Sequence, residues 1–231
     1  MSADGYLIER KRMVGEQIAA RGVLDPHLLA VMGSVPRHRF VPADDLAWAY
    51  ADGPLPIGHG QTISQPYIVA LMTELLQVEA TDRVLEVGTG SGYQAAVLGQ
   101  LVAEVHTLEV IPELAVQAVR VLTDLGYANI HVHVADGSLG WLEAVPYDGI
   151  LVAAAAPSAP QPLLDQLADG GRLVLPVGSR GLQHLEIWTR TGQEFNRRDD
   201  IAVVFVPLRG EHGWTLRTNV HFVRGLNKYL F

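Results

Sequence analysis

The sequence predicts an α/β fold in which a doubly wound, mostly parallel sheet carries helices on both faces. Strand patterns and helical patterns alternate along the chain after Pro66, which is typical of a parallel sheet. An apolar strand also runs directly into a glycine-rich turn and a helical pattern at 84–93. Near the carboxyl end, two strand patterns follow each other without a long helix between them, which adds an antiparallel edge. Together these observations predict a Rossmann-like sheet.

The part of the chain before this sheet is predicted to be helical. An amphipathic pattern at 4–21 ends at Gly22, a residue suited to a helix C-terminus. Asp25 followed by Pro26 indicates the N-cap and the first residue of a second helix. A shorter helical pattern follows at 44–50.

The elements of the sheet follow in order after a helical pattern that begins at Pro66. The strand patterns lie at 84–87, 104–109, 130–135, 148–154, 172–177, 184–189 and 201–206. The helical patterns between them lie at 93–101, 112–125 and 161–168. Because sheets of this type bind ligands at the carboxyl ends of their strands, the residues that follow each strand are the candidates for a site.

The length, charge and composition of the chain limit its function. Its 231 residues fit one domain, which we divide into an N-terminal segment at 1–65, an α/β body at 66–214 and an extension at 215–231. The formal net charge of −8 disfavours nucleic acid as a partner. We expect neither a membrane span nor a signal peptide, because no stretch has the required apolar pattern. Cysteine is absent, which excludes disulfide bonds, and we expect a cytoplasmic protein.

The turn at 88–92 has the composition of a nucleotide-cofactor site. Gly88, Gly90 and Gly92 alternate with Thr89 and Ser91, and glycine allows a backbone to turn sharply and to approach a ligand closely. The spacing G-x-G-x-G differs from the G-x-G-x-x-G of dinucleotide-binding proteins, so it disfavours NAD.

Two carboxylates accompany this turn. Glu86 lies in the strand before it, where a carboxylate repels phosphate and suits a cation, and Glu109 ends the next strand, where it can accept hydrogen bonds from ribose hydroxyls. S-adenosylmethionine carries a sulfonium, an ammonium and a ribose and has no pyrophosphate, so these residues favour it as the cofactor. A further candidate is Asp136–Gly137, since the carboxylate can accept from an adenine amino group and the glycine leaves room for the ring. The alternative is that Asp136–Gly137 is an ordinary turn.

Several further strings follow the order of motifs found in one known family. They are Val35–His38, Phe40–Pro42, Pro54–Gly58, Gly60–Pro66, the turn at 84–93, Gly170–Leu173, Pro176–Gly178 and Phe205–Leu208. With these strings the chain resembles the protein-L-isoaspartate O-methyltransferases over about residues 10–214. The resemblance implies transfer of a methyl group from S-adenosylmethionine to the α-carboxyl of isoaspartyl residues in damaged proteins and peptides, with S-adenosylhomocysteine as the product. The ester then cyclises to a succinimide, whose hydrolysis returns some normal aspartate.

Ser64 is the predicted catalytic residue. The resemblance implies an active-site serine at this position, where its hydroxyl can donate to the substrate carboxylate near the start of the helix at Pro66. A serine two residues before a proline is also a natural helix N-cap, and both roles are compatible. Because excluding water favours the reaction, we expect the loop at 52–65 to form part of a lid over the cofactor. Within this loop we expect substrate contacts from Ile57, Gly58, Gln61 and Thr62.

Other features leave alternatives open. His131 and His133 lie on one face of a strand, a spacing that suits a metal but is more typical of an exposed face, and we expect no metal. The apolar extension at 215–231 packs on its own domain or mediates a dimer. Two further functions are compatible with the sequence: a carboxyl methyltransferase that modifies a dedicated peptide, and an interaction scaffold without catalysis.

Overall fold

Residues 5–214 of the chain are described by a computed structural model. The extension predicted at 215–231 lies outside the described residues. None of the helices in the described part is long and apolar enough to cross a membrane.

The N-terminal part of the chain is helical, as the sequence predicts, but it is not one regular α-helix. Helix α1 (Leu7–Arg12) continues through a π-helical turn at Met13–Ile18 and a 3₁₀ turn at Ala19–Arg21. It ends at Gly22, whose φ of +96° is one that glycine adopts readily.

The second helix begins with the predicted cap. Helix α2 spans Pro26–Ser34, and Asp25 accepts hydrogen bonds from the backbone N–H groups of His27 (2.8 Å) and Leu28 (3.3 Å). Two 3₁₀ turns follow at Arg37–Phe40 and Ala43–Trp48.

The segment predicted as a loop at 52–65 contains a β-hairpin instead. Strand β1 (Leu55–Gly58) pairs antiparallel with β2 (Gln61–Ile63). The two residues between the strands both have positive φ, +52° at His59 and +71° at Gly60, which is the backbone of a tight hairpin turn. This hairpin was not predicted because a histidine such as His59 does not normally indicate such a turn.

Within residues 5–214, the main sheet has seven strands. They are β3 (Arg83–Val87), β4 (Glu104–Glu109), β5 (Ile130–Val134), β6 (Tyr147–Val152), β7 (Leu167–Ser179), β8 (Leu182–Thr191) and β9 (Glu194–Val203). Their order across the sheet is β5-β4-β3-β6-β7-β8-β9. In this order, β5, β4, β3, β6 and β7 pair in parallel with their neighbours, whereas β7, β8 and β9 pair antiparallel. The predicted parallel sheet with an antiparallel edge is therefore confirmed.

In the described part of the chain, four helices precede or connect the strands of the sheet: α3 (Pro66–Leu76), α4 (Tyr93–Gly99), α5 (Pro112–Asp124) and α6 (Gln161–Asp165). Alternate residues of β3 enter two separate buried clusters. Val84 packs in the cluster that contains the N-terminal helices and α3, while Leu85 and Val87 pack in the cluster that contains α6. Because both faces of β3 are covered, its apolar residues Val84, Leu85 and Val87 are all buried, although they alternate between the two faces.

The carboxyl edge of the sheet differs most from the prediction. The last strand lies at 194–203, whereas the sequence predicted 201–206. Four consecutive charged residues, Arg197 to Asp200, lie inside this strand, and because of them the sequence pattern did not indicate a strand there. Since β9 is at the edge of the sheet, these charges protect it from pairing with another chain, and Arg197 forms an ion pair with Glu186 of β8 (3.1 Å).

Candidate active site

The order of the strands reverses at β3, which has β4 on one side and β6 on the other. The loops that follow these strands diverge and leave a crevice at the carboxyl end of the sheet. The glycine turn begins in this crevice, and the N–H groups of Gly88 and Thr89 donate to the carbonyl of Leu108 (2.8 and 3.2 Å). The φ angles of Gly88, Gly90 and Gly92 are +97°, +52° and +87°, so a side chain at any of these positions would strain the turn.

Two adjoining clefts lie against the glycine turn. The first encloses about 540 Å³ and is bordered by Val87, Leu108, Glu109 and Gly137. The second encloses about 300 Å³ and is bordered by Ser64, Glu86, Thr89 and Ser91. Both clefts share Thr62, Gly88 and Gly90, so they form one elongated space on the two sides of the turn. This space lies at the carboxyl ends of β3 and β4, which is the usual place of a cofactor in a sheet of this type.

Glu109 holds the glycine turn from the end of β4. Its carboxylate accepts a hydrogen bond from the N–H of Gly90 (2.8 Å) and another from the N–H of Ile111 (3.0 Å). The side chain is almost completely buried but borders the larger cleft. Each carboxylate oxygen can accept further hydrogen bonds, so the group retains the capacity to bind a diol.

Glu86 is buried at the bottom of the smaller cleft and has no exposed surface. The hydroxyl of Thr107 donates to Oε2, and Thr107 in turn contacts the hydroxyl of Thr89 (2.7 Å). The other oxygen, Oε1, has no hydrogen-bond partner among the described residues. Burial raises the pKa of Glu86 to about 8, and the nearby charge of Glu109 acts in the same direction.

Asp136 and Gly137 follow β5 and also form a turn. Asp136 accepts hydrogen bonds from the N–H and hydroxyl of Ser138 (2.9 and 2.7 Å), and its second oxygen accepts from the N–H of Glu211 (2.8 Å). The ordinary turn considered above is thus present, and it connects β5 with the segment after β9. Gly137 borders the larger cleft, and a Cβ atom there would clash with Cγ1 of Val87. A contact of either residue with adenine stays a prediction.

Ser64 lies between β2 and α3, and it is not the helix N-cap. The N-cap of α3 is Gln65, which makes no side-chain capping hydrogen bond. Ser64 borders the smaller cleft and also a wider surface groove that encloses about 990 Å³. Thr62 borders the same groove and both clefts. Thr62 and Ser64 therefore form a wall that separates the two clefts from the surface groove.

Arg37 is a site residue that the sequence analysis did not identify. Its guanidinium is completely buried and donates hydrogen bonds to the carbonyls of Ala49 (2.8 Å) and Ser64 (2.8 Å). It also lies 4.8 Å from the centre of the Tyr93 ring. Burial lowers its pKa only to about 10, so it remains charged at neutral pH. Its one signal in the sequence was its place in the string Val35–His38, and nothing local indicates which groups its side chain binds.

The hairpin β1–β2 lies beside the glycine turn, since Thr62 borders both clefts and Ile57 lies next to Gly90, and its base is attached to the helical part of the chain that precedes it. That the hairpin forms a lid over the cofactor stays a prediction. Asp52 accepts hydrogen bonds from the side chains of Arg21 (3.2 Å) and Gln65 (2.7 Å). Of the four predicted substrate contacts, Thr62 borders the surface groove and Gln61 borders the larger cofactor cleft. The other two, Ile57 and Gly58, border a separate depression on the far side of the hairpin.

The two histidines of β5 face β4. His133 stacks on Trp141 (centroids 4.1 Å apart) and lies within 3.1 Å of a ring nitrogen of His106, while His131 approaches the carboxylate of Glu104 (3.3 Å). Across residues 5–214, no three side chains of a ligand type are arranged to hold a metal ion.

Comparisons with known proteins agree with this geometry. A family model described as Protein-L-isoaspartate(D-aspartate) O-methyltransferase (PCMT) matches residues 8–213. A protein-L-isoaspartate O-methyltransferase of Picosynechococcus sp. is 56% identical over 208 residues, which are 90% of this chain and 93% of that protein.

Two solved structures have the same fold. A protein-L-isoaspartate O-methyltransferase superposes with a TM-score of 0.80 and 27% identity, over 88% of this chain and 67% of that chain. A Plasmodium falciparum protein of the same description, solved in complex with S-adenosyl-L-homocysteine, gives a TM-score of 0.76 and 25% identity over 87% of this chain and 98% of that one. With a family match that spans the helical segment, the hairpin and the whole sheet, this chain belongs to the protein-L-isoaspartate(D-aspartate) O-methyltransferase family.

Proposed function

We propose that this protein transfers the methyl group of S-adenosyl-L-methionine to the α-carboxyl of L-isoaspartyl residues in damaged proteins and peptides. The observation that carries the proposal is the wall formed by Thr62 and Ser64, which borders the cofactor-sized clefts on one side and the surface groove on the other. A donor and a peptide acceptor bound in these two spaces would meet at this wall. Family membership and the relative that binds S-adenosyl-L-homocysteine support the same reaction.

The residues of the clefts fit S-adenosyl-L-methionine. Glu109 has spare acceptor capacity for the ribose hydroxyls in the larger cleft. In the smaller cleft, Oε1 of Glu86 is a buried oxygen without a partner, which a cationic amino acid group would satisfy. The turn at Gly88, Gly90 and Gly92 provides backbone close to the ligand without side chains in the way.

The residues of the chain have two tasks in this reaction: they orient the two reactants, and they exclude water from them. Bound in this way, the cofactor would supply an electrophilic methyl carbon to the acceptor carboxylate, and the products would be S-adenosyl-L-homocysteine and a methyl ester. A carboxylate is already ionised at neutral pH, so no general base is required. Because an anion and a cation neutralise each other in the transition state, a site closed to water by the β1–β2 hairpin favours the reaction. Alignment of the two reacting atoms contributes further.

Ser64 and the start of α3 are placed to receive the acceptor carboxylate. The first-turn N–H groups of a helix are free to bind an anion, and the helix dipole adds to this. The hydroxyl of Ser64 is not used as a cap, so it is free to donate to the same anion. The surface groove beside it is lined by Arg21, which is paired with Asp52, and by apolar residues that include Ile201 and Phe205, which offer an apolar floor to the rest of the peptide.

The test is a pair of peptides that differ only in the linkage of one aspartyl residue. With S-adenosyl-L-methionine labelled on its methyl group, the protein should label the L-isoaspartyl peptide and leave the normal aspartyl peptide unlabelled. Equal labelling of both peptides, or labelling of neither, would overturn the proposed substrate. Labelling confined to some other dedicated peptide would favour the alternative carboxyl methyltransferase. Absence of cofactor binding would favour the scaffold. That the enzyme acts in the cytoplasm, and acts without nucleic acid, stays a prediction.

A further inference from the structure

A buried carboxylate lies at the point where the proposed cofactor site must accept a cation. Glu86 has no exposed surface, and its Oε1 has no partner among the described residues. Its Oε2 accepts a single hydrogen bond, from the hydroxyl of Thr107. A fully ionised carboxylate in such a place lacks most of the hydrogen bonds that it would have in water, so the protonated form is favoured until an opposite charge arrives.

Among residues 5–214, the groups around Glu86 provide no such opposite charge. From β4, Glu109 contributes a second negative charge that disfavours ionisation of Glu86. From α4, Tyr93 borders the same cleft, and burial raises its pKa to about 12, so it is neutral. The other elements that border the cleft contribute Val69 of α3, Ala153 after β6 and the uncharged side chains at 62–64.

We infer that binding of the cofactor's cationic amino acid end displaces a proton from Glu86, so that cofactor binding is coupled to proton release. This inference rests on the proposed function only in taking S-adenosyl-L-methionine as the ligand. Before the cofactor binds, Glu86 holds a proton at neutral pH, in agreement with the direction in which burial moves its pKa. Once the cation lies beside Oε1, the ion pair is the more stable form, and the proton passes to solvent. The O–H bond of the carboxyl breaks, and no other bond changes.

Titration calorimetry in buffers of different ionisation enthalpy measures this proton directly. At pH 7 the wild-type protein should release close to one proton for each S-adenosyl-L-methionine bound, and its Kd should fall by nearly tenfold for each unit of rising pH below about pH 7. Adenosine, which has no amino acid end, should bind without proton release. S-adenosyl-L-homocysteine keeps the ammonium but not the sulfonium, so it should release a proton as well, and release with S-adenosyl-L-methionine alone would overturn the assignment to the amino acid end.

Two variants complete the test. Glu86→Gln should still bind adenosine but should release no proton with either full ligand. The matched control is Glu113→Gln, which removes an exposed carboxylate just after the cleft residue Ile111 and should release as many protons as the wild type. Proton uptake, no proton release from the wild type, release that persists in Glu86→Gln, or no binding of S-adenosyl-L-methionine at all would overturn the inference. Failure of the peptide-labelling test alone would overturn the proposed substrate and leave the inference about Glu86 intact.

Discussion

The guanidinium of Arg37 donates a 2.8 Å hydrogen bond to the backbone carbonyl of Ser64. A second hydrogen bond, to the carbonyl of Ala49, fixes the same guanidinium to the N-terminal helical segment. One buried cation thus connects the part of the chain that precedes the hairpin with the residue that faces both the cofactor cleft and the surface groove. The helical part of the chain before the hairpin therefore supports the candidate site, although its described residues contribute no strand to the main sheet.

Replacing Arg37 should disturb both stability and turnover. Arg37→Met removes a donor from the buried carbonyl of Ala49 and from the half-buried carbonyl of Ser64, so we expect a loss of about 2 kcal/mol in the free energy of unfolding and a lower kcat at temperatures where the protein stays folded. Arg37→Lys keeps the charge but loses the planar fork that reaches two acceptors. It should therefore retain only part of the wild-type stability and only part of the wild-type kcat. Thermal unfolding and initial rates measure the two effects. The control is Arg39→Met, since Arg39 is exposed and forms only a 3.7 Å ion pair with Asp124. Equal effects at both positions would contradict the role of Arg37.

Removing the hydroxyl of Ser64 should affect the reaction more than cofactor binding. In Ser64→Ala we expect kcat to fall by at least about tenfold, because a hydrogen bond to a charged group is lost where the acceptor binds. The Kd for S-adenosyl-L-methionine should change by less than about twofold, and the melting temperature should change little because Ser64 does not cap α3. Ser158→Ala, at an exposed position, serves as the control. Unchanged turnover would remove Ser64 from the mechanism.

The two glutamates of the cofactor site should respond differently to truncated ligands. Glu109→Gln removes the charge that accepts from Gly90 and faces the larger cleft, so binding of adenosine and of S-adenosyl-L-methionine should both weaken by about tenfold or more. Glu86→Gln should weaken only the ligands with an amino acid end. Calorimetry with both ligands distinguishes the variants. If both variants weakened binding of the same ligands, the adenosine part and the amino acid end of the cofactor would not occupy separate clefts as we expect.

Gly137 should not tolerate a methyl group. In Gly137→Ala the added Cβ meets Cγ1 of the buried Val87, and overpacking of this kind costs about 1 to 3 kcal/mol. The substitution Val87→Ala removes the clashing atom, so the double variant should be more stable than the sum of the two single effects predicts. Denaturant unfolding of all four proteins measures this coupling. Additive effects would mean that the backbone at Gly137 moves instead.

The stability of the protein without cofactor should fall as the pH rises, and Glu86 should account for part of that fall. Burial raises the pKa of Glu86 from 4.5 to about 8, so the folded state holds a proton that the unfolded chain loses. The contribution of this group is complete below about pH 4.5 and is lost as the pH rises through about 8. Melting temperatures between about pH 6 and about pH 8.5 should therefore decrease less in Glu86→Gln than in the wild type. Parallel curves for the two proteins would show that Glu86 is ionised throughout.

The sequence predicted those parts of the protein whose physical causes are local. The buried strand β3, the glycine turn and Glu109 follow from an apolar run, from backbone angles that suit glycine and from the position of a strand end. The β1–β2 hairpin was not predicted because it depends on a positive φ at His59, and β9 was obscured by the charges of an edge strand. Arg37 could not be assigned because its partners are carbonyls, which every residue carries, and one of them lies 27 positions away.

The wall made by Thr62 and Ser64 has a consequence for which molecules can be repaired. If the acceptor carboxylate reacts at a partition one residue thick, with an open groove of about 990 Å³ outside it, the damaged segment never has to pass through a tunnel. In this arrangement only the residues next to the abnormal linkage lie in the groove, and the rest of the molecule stays outside it. A short peptide and an unfolded loop of a large protein then present equivalent substrates, and the size of whatever is attached to them does not matter.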